Sequence, residues 1–192
     1  AAISRRFKQA CLQTGSGQHT DLSQAELPLE KGWEMVEAKS GSALALICWA
    51  GARLGTQEEE SLNLAYQFGI QLGILDQIAD DLKDLWASAT AETDIKKSPL
   101  SSLPIIYTKS VLSPEKRKLF DAVLAQAKTD PNYEAAARQT AIESGAALYL
   151  AVQSTLVYNR ALNIVDQLKV VDPLAKTLTA LLNQIHFVKR HD

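Results

Sequence analysis

Residues 62–86, LNLAYQFGIQLGILDQIADDLKDLW, decide the fold of this 192-residue chain. On a helix with about 100° per residue, small and polar side chains share one face, namely Tyr66, Gly69, Gly73, Asp76, Gln77, Asp80 and Asp84. The opposite side is apolar and consists of Leu64, Phe68, Leu75, Ile78 and Leu82. A helix that is apolar around most of its circumference is usually buried. The stretch therefore predicts a buried central helix over about residues 57–87.

Three carboxylates lie near the C-terminal end of this helix, in the pattern DDxxD formed by Asp80, Asp81 and Asp84. Buried carboxylates are costly unless they are paired or bind a metal, and here they lie at the negative end of the helix dipole. Lys83 is expected to point elsewhere, which leaves them without a basic partner. Oxygen ligands of this kind suit Mg²⁺, which takes one or two carboxylates together with substrate phosphates. The alternative is a solvated acidic helix end, the common situation for charged residues.

A second polar group interrupts an otherwise apolar helix in EMVEAKSGSALAL, residues 34–46. Lys39 followed by Ser40 can hold a phosphate through a point charge and a hydrogen bond. The alternative is that Lys39 pairs with Glu34 or Glu37 and extends into solvent. With an acidic cluster elsewhere in the same fold, a diphosphate lying between the two groups becomes the sharper hypothesis. Gly69 and Gly73 are expected to clear space for it.

Composition excludes several classes of protein. The formal net charge is −2 and the pI is near 6.0, so no basic surface predicts a nucleic-acid partner. Cys11 and Cys48 are too few for a disulfide framework or a zinc site, so we expect small core thiols in a cytoplasmic protein. There is no uncharged run long enough for a transmembrane helix. The chain does not begin with Met, so we expect either a processed protein or a piece of a longer one.

Helical periodicity and the six prolines predict an all-α fold of about seven helices, in one domain spanning residues 1–192. The expected helices are 2–14, followed by a loop TGSGQHTDLSQ, then 29–54, 57–87, 100–111 with an interruption at Pro104, one opening at Ser113, one from Asp130 to about 168, and one from Asp172. Within the second helix, apolar side chains recur at helical spacing, namely Trp33, Val36, Ala43, Leu44, Ile47 and Ala50. His186 is expected to be exposed in a polar tail.

Four motifs occur in an order and at a spacing that resemble the polyprenyl synthetase family, the trans-isoprenyl diphosphate synthases. They are GQHTDL (17–22), EMVEAKSG (34–41), LGILDQIADDLKD (72–84) and SLPIIY (102–107), against the family patterns GQxxDL, KTG, FQIxDDxxD and K-x-[ST]-LP. The resemblance implies an isoprenoid-synthase-type helical bundle of which this chain is the C-terminal portion, without the N-terminal helices and the first aspartate-rich motif. Asp76 stands where the family has Phe. Leu100 stands where it has Lys, and Lys96 or Lys97 could substitute.

The resemblance also implies a set of site residues. Asp80, Asp81 and Asp84 would hold Mg²⁺, with Asp80 counted as catalytic. Lys39 and Gln77 would be both catalytic and substrate-binding. The remaining substrate-binding residues implied in this way are Gln18, Asp21 and Ser40.

By the same resemblance, the reaction is the Mg²⁺-dependent condensation of an allylic diphosphate with isopentenyl diphosphate to a longer polyprenyl diphosphate. Two alternatives remain. One is a non-catalytic regulatory subunit of a heteromeric synthase, and the other is a prenyltransferase that uses a peptide or another acceptor. The resemblance implies a homodimer or heterodimer, and no nucleic acid is expected as a partner.

Overall fold

The computed structural model describes residues 2–23, 26–86 and 102–186. Within these ranges the chain forms nine α-helices, where about seven were expected, together with one π-helical segment and no strand. The helices are α1 Ala2–Leu22, α2 Leu29–Val36, α3 Ser42–Gly55, α4 Glu59–Leu85, α5 Leu103–Val111, α6 Pro114–Ala127, α7 Pro131–Glu143, α8 Ala146–Gln167 and α9 Asp172–Ile185. The π-helical segment, Glu37–Gly41, joins α2 to α3 and is called the π segment below. The prediction of an all-α fold is confirmed.

Helix α1 continues through the stretch that was expected to be a loop. It runs to Leu22, so Gln18 and Asp21 lie on a helix, and the predicted end at residue 14 is wrong. The glycine-rich composition suggested a turn, but Gly17 serves a close approach between backbones. A Cβ atom at this position would lie 2.5 Å from the backbone nitrogen of Lys39. The glycine is therefore explained by packing and not by backbone freedom.

The π segment changes the inward face of the helices that flank it. The positions that face inward are Gly32, Val36, Gly41, Ala45 and Trp49, so one interval is five residues and the others are four. Because a π turn contains one extra residue, the phase of α3 shifts relative to α2. The helical spacing seen in the sequence therefore does not continue in one phase beyond Val36, and Ile47 is 63% exposed.

Helix α4 is the predicted central helix, and its burial is confirmed. Its apolar side chains Leu75, Ile78 and Leu82 are each 0% exposed. The glycines on this helix have a different role from the predicted one. A Cβ atom at Gly69 would lie 2.5 Å from the Ala45 Cα atom, and one at Gly73 would lie 2.4 Å from the Ser40 carbonyl oxygen. Both glycines allow the backbone of a neighbouring segment to approach closely, and they do not clear space for a ligand.

The described chain divides into two compact units. The first falls within residues 1–18, 35–79 and 153–192, and the second within 19–34 and 80–152. In the first unit the Tyr158 ring stacks on the His186 ring at 4.4 Å, and the Tyr158 hydroxyl donates to the Asn183 amide oxygen at 2.6 Å. His186 is 4% exposed, so the prediction of an exposed tail histidine is wrong.

The second unit contains two corrections to the predicted helices. Pro104 occupies the first turn of α5, where it lacks only an N–H that the helix would not use, so it does not interrupt the helix. The long helix expected from Asp130 to 168 is divided at Gly145, whose φ is +86°. Ser113 and Asp130 are N-caps of α6 and α7, as their sequence patterns indicated for helix starts.

Candidate functional site

The π segment that carries Lys39 and Ser40 is held between two glycines of the first unit. Gly17 on α1 lies against the backbone of Lys39, where a Cβ atom would approach its Cα atom to 2.9 Å. Gly73 on α4 lies against Ser40 and Gly41, where a Cβ atom would be 2.6 Å from the Ser40 carbonyl carbon. Real Cβ atoms essentially never come this close to backbone. Both contacts therefore need glycine, and together they determine where the π segment lies.

Two of the predicted site residues, Ser40 and Gln77, are in contact in the first unit. The Ser40 hydroxyl donates to the Gln77 side-chain oxygen at 3.1 Å. Lys39, Ser40 and Gln77 are each half-buried. Lys39 precedes Ser40 in the chain, and a half-buried lysine and a hydroxyl are groups that can hold a diphosphate through charge-assisted hydrogen bonds.

Two hydroxyls that the sequence analysis overlooked are hydrogen-bonded at the end of the π segment. The Ser42 hydroxyl donates to the carbonyl oxygen of Ala38, and the Thr14 and Ser42 hydroxyl oxygens are 3.0 Å apart. The position of Lys39 and Ser40 was itself a sign in the sequence that the helix is irregular here. In an uninterrupted α-helix they would follow Val36 on the inward face, which is unusual for a lysine.

The acidic cluster in the second unit is more accessible than the sequence indicated. The Asp80 side chain is 57% exposed and pairs with Lys83 at 2.5 Å. The expectation that Lys83 points away from the carboxylates is therefore wrong. Asp84 is half-buried, and Asp76 on the preceding turn of α4 is exposed.

Asp81 differs from its neighbours because it is 2% exposed and has a structural contact. Its Oδ2 atom accepts a hydrogen bond from the Leu103 backbone N–H at 3.2 Å. This N–H belongs to the first turn of α5, where backbone donors have no partner inside the helix. The carboxylate therefore caps α5, whatever else it binds.

The donor set suits a Mg²⁺ ion that arrives with a diphosphate. Among the residues that the structure describes, no three His, Cys, Asp or Glu side chains form a ready metal site. Mg²⁺ usually keeps several waters and takes one or two carboxylates together with phosphate oxygens. The exposed Asp80 carboxylate meets this requirement, because a surface ion pair such as Asp80–Lys83 contributes only about 0–1 kcal/mol.

Other predicted site residues fall in different places. Gln18 is half-buried on α1 directly after Gly17, and Asp21 is 8% exposed one turn further along the same helix. The predicted substitution of Lys96 or Lys97 for the lysine missing at Leu100 lies outside the described residues.

The comparisons with known proteins agree with this fold and with the motifs. The polyprenyl synthetase family model matches residues 1–142, which is well over half of the chain. The chain therefore belongs to the polyprenyl synthetase family. Comparison with curated proteins finds no match. No described helix is long and apolar enough to cross a membrane.

Several solved structures have the same fold as this chain. A polyprenyl synthetase from Streptomyces coelicolor A3(2) has a TM-score of 0.82 and 24% identity, over 96% of this chain and 58% of that one. A decaprenyl diphosphate synthase from Rhodobacter capsulatus has a TM-score of 0.85 and 17% identity, over 99% and 60%.

A polyprenyl synthase from Caulobacter crescentus CB15, complexed with calcium and isoprenyl diphosphate, has a TM-score of 0.84 and 18% identity, over 100% and 60%. This chain thus spans about three-fifths of the length of these proteins. The isoprenoid-synthase type of helical fold, expected from the motifs, is confirmed.

Proposed function

We propose that this chain binds the allylic diphosphate of a Mg²⁺-dependent prenyltransferase, which condenses it with isopentenyl diphosphate into a longer polyprenyl diphosphate. The observation that carries the proposal is the Ser40–Gln77 hydrogen bond beside Lys39 on the π segment, in a member of the polyprenyl synthetase family. Support for the ligand class comes from the Caulobacter crescentus relative, which was crystallised with a divalent cation and isoprenyl diphosphate.

The proposed roles follow from the chemistry of the side chains. Lys39 holds the diphosphate as a point charge, and Ser40 and Gln77 orient the allylic end next to it. Gln18 and Asp21 are proposed as further substrate-binding residues. Asp80, Asp81 and Asp84 would hold Mg²⁺, which supplies charge neutralisation for the departing diphosphate when it is bound.

In the proposed reaction the C1–O bond of the allylic substrate breaks, and both electrons leave with the diphosphate. The double bond of isopentenyl diphosphate attacks the allylic cation, and loss of a proton forms the new double bond. Lys39 lowers the barrier because its positive charge is already in place where negative charge develops on the leaving group. Apolar side chains around the cation exclude water, which would otherwise trap it.

A non-catalytic subunit of a heteromeric synthase is the second candidate, and one observation favours it. Asp80 pairs with Lys83, and Asp81 caps α5 through the Leu103 N–H, so two of the three proposed metal ligands already have partners within the protein. A peptide or another acceptor in place of isopentenyl diphosphate is a variant of the first candidate. Assembly as a homodimer or heterodimer belongs to the same proposal, as does a cytoplasmic location, with which the free thiols of Cys11 and Cys48 agree.

Donor binding and turnover are measured separately to test the proposal. Calorimetry with farnesyl thiolodiphosphate and Mg²⁺ measures the affinity for the allylic diphosphate, which is the prenyl donor, without the reaction taking place. Turnover is measured with farnesyl and isopentenyl diphosphate. We expect Lys39→Ala and Asp80→Ala to weaken donor binding by roughly 10- to 100-fold, because hydrogen bonds to charged groups contribute about 1.5–3 kcal/mol. The matched controls, Lys8→Ala and Asp166→Ala, remove exposed charges elsewhere and should bind like the wild type.

Each outcome decides between the candidates. Mg²⁺-dependent donor binding that both site variants lose, together with turnover, supports the enzyme. Donor binding without turnover in the chain alone supports a subunit that needs a partner for the acceptor half. Wild-type affinity in both Lys39→Ala and Asp80→Ala, or no binding by the wild type, overturns the site assignment.

A further inference from the structure

The π segment takes the usual α-helical hydrogen-bond donor away from one backbone carbonyl, and two hydroxyl groups compensate for this loss. In the π register, the Ser42 backbone N–H donates to the Glu37 carbonyl oxygen, five residues earlier. In an α-helix the same N–H would bond to the carbonyl oxygen of Ala38. The π register therefore diverts this donor from Ala38, and a half-buried carbonyl that loses its partner is costly.

The Ser42 hydroxyl supplies the replacement. It donates to the Ala38 carbonyl oxygen, and its side chain is 2% exposed, so no bulk water competes for this bond. A hydroxyl has one hydrogen. Since the Ser42 hydrogen is engaged by Ala38, the 3.0 Å contact with Thr14 must have Thr14 as the donor. The result is a directed chain of hydrogen bonds from Thr14 on α1 through Ser42 to Ala38.

Such a chain favours the π register over the α register. Each hydroxyl that donates becomes a better acceptor, so the two bonds strengthen one another. If the segment relaxed to α-helical hydrogen bonding, the residues before Ser42 would turn by about 100° relative to α3, the angle that one residue spans in a helix. Lys39 and Ser40 lie among those residues, and Ser40 would then lose its direction toward Gln77.

From this geometry we infer that Thr14 and Ser42 are positioning residues, whose linked hydroxyls hold the π register and thereby direct Lys39 and Ser40 toward a diphosphate. The inference rests on the proposed function for the identity of the ligand. It assigns no contact with the ligand to either hydroxyl. Both act through the backbone of the π segment.

The test compares two variants with a matched control. Ser42→Ala removes the donor to Ala38, and Thr14→Val removes the second hydroxyl with little change in volume. Thr108→Val is the control, because the Thr108 hydroxyl makes the same kind of bond at 2.7 Å, to the Pro104 carbonyl oxygen, and is 0% exposed in an ordinary α-helix. Thr14→Ser, which keeps the hydroxyl, should behave like the wild type.

Two readouts are needed. The first is amide hydrogen exchange in residues 37–43, which should become faster in Ser42→Ala and Thr14→Val but not in Thr108→Val. The second is the affinity for inorganic diphosphate with Mg²⁺, which should fall about fivefold in each variant, as expected for a hydrogen bond of about 1 kcal/mol. The double variant should lose less than the product of the two single losses, because both changes break one chain.

The outcomes separate this inference from the proposed function. Unchanged exchange in both variants overturns the inference, and so does faster exchange with unchanged diphosphate affinity. If the wild type binds no diphosphate, the proposed function fails on its own, and the ligand part of the inference fails with it. The exchange measurement would still report on the π register. Thr14→Val keeps the test usable if Ser42→Ala does not fold.

Discussion

Replacing Gly73 by alanine tests the close packing of α4 against the π segment. The added Cβ atom would lie 2.4 Å from the Ser40 carbonyl oxygen, 2.6 Å from its carbon and 2.7 Å from the Gly41 Cα atom. All three atoms belong to backbone, so no side chain can rotate away. Restoring an ordinary contact of about 3.5 Å requires a shift of about 1 Å in the segment that carries Lys39 and Ser40.

The expected magnitude has two parts. Overpacking of this kind costs about 1–3 kcal/mol, while alanine gains about 1 kcal/mol over glycine inside a helix. Gly51→Ala isolates the second part, because Gly51 lies inside α3 with no atom within 4 Å of an added Cβ. We therefore expect Gly51→Ala to stabilise the protein by about 1 kcal/mol, and Gly73→Ala to be about 1–3 kcal/mol less stable than Gly51→Ala.

The assays are thermal unfolding and the affinity for inorganic diphosphate with Mg²⁺. Each kcal/mol should shift the Tm by about 2–4 °C in a chain of this size. A 1 Å displacement of Lys39 and Ser40 should also weaken diphosphate binding, by about tenfold or more. Gly69→Ala is the comparison for packing alone, since its Cβ atom would meet Ala45 and Leu44 and not the π segment. It should lose comparable stability and less affinity.

The positioning role of this contact is refuted if Gly73→Ala is as stable as Gly51→Ala. In that case the helices separate at no cost, and the contact does not position the π segment. It is also refuted if Gly73→Ala is destabilised but binds diphosphate with the same affinity as the wild type.

Three further predictions concern other parts of the chain. Asp81→Ala should destabilise the protein by about 1–2 kcal/mol in denaturant unfolding, because the N–H of Leu103 loses its acceptor. Asp81→Asn keeps an acceptor oxygen and should cost less, and equal losses in the two variants would contradict the capping role. Gly145→Ala should lower stability by about 1–2 kcal/mol in the same assay, because φ is +86° there and L residues are strained in that region. Finally, burial raises the pKa of the Cys48 thiol and so lowers its thiolate fraction, whereas Cys11 is exposed. The Cys48→Ser protein, which keeps Cys11, should therefore react faster with a thiol reagent at pH 8 than the Cys11→Ser protein, which keeps Cys48. Equal rates in the two proteins would contradict this.

The sequence alone determined the all-α fold, the central helix and the family. These follow from local signals, namely apolar periodicity over residues 62–86, capping residues such as Ser113 and Asp130, and four motifs in a fixed order. Each of them depends on neighbours within a few turns along the chain. These features can therefore be predicted without knowledge of tertiary contacts.

Only the tertiary structure showed what the glycines and hydroxyls do. The sequence predicted a loop at Gly17 and open space beside Gly73. Both glycines instead lie against the backbone of segments that are distant in sequence. Ser42 at the end of the π segment likewise contacts Thr14, which lies 28 residues earlier in the chain. Asp81 looked like its neighbours in the DDxxD pattern until Leu103 was found hydrogen-bonded to it. A one-residue change in helical register, or a close backbone contact, is determined by atoms from distant parts of the chain, and local periodicity contains no information about those atoms.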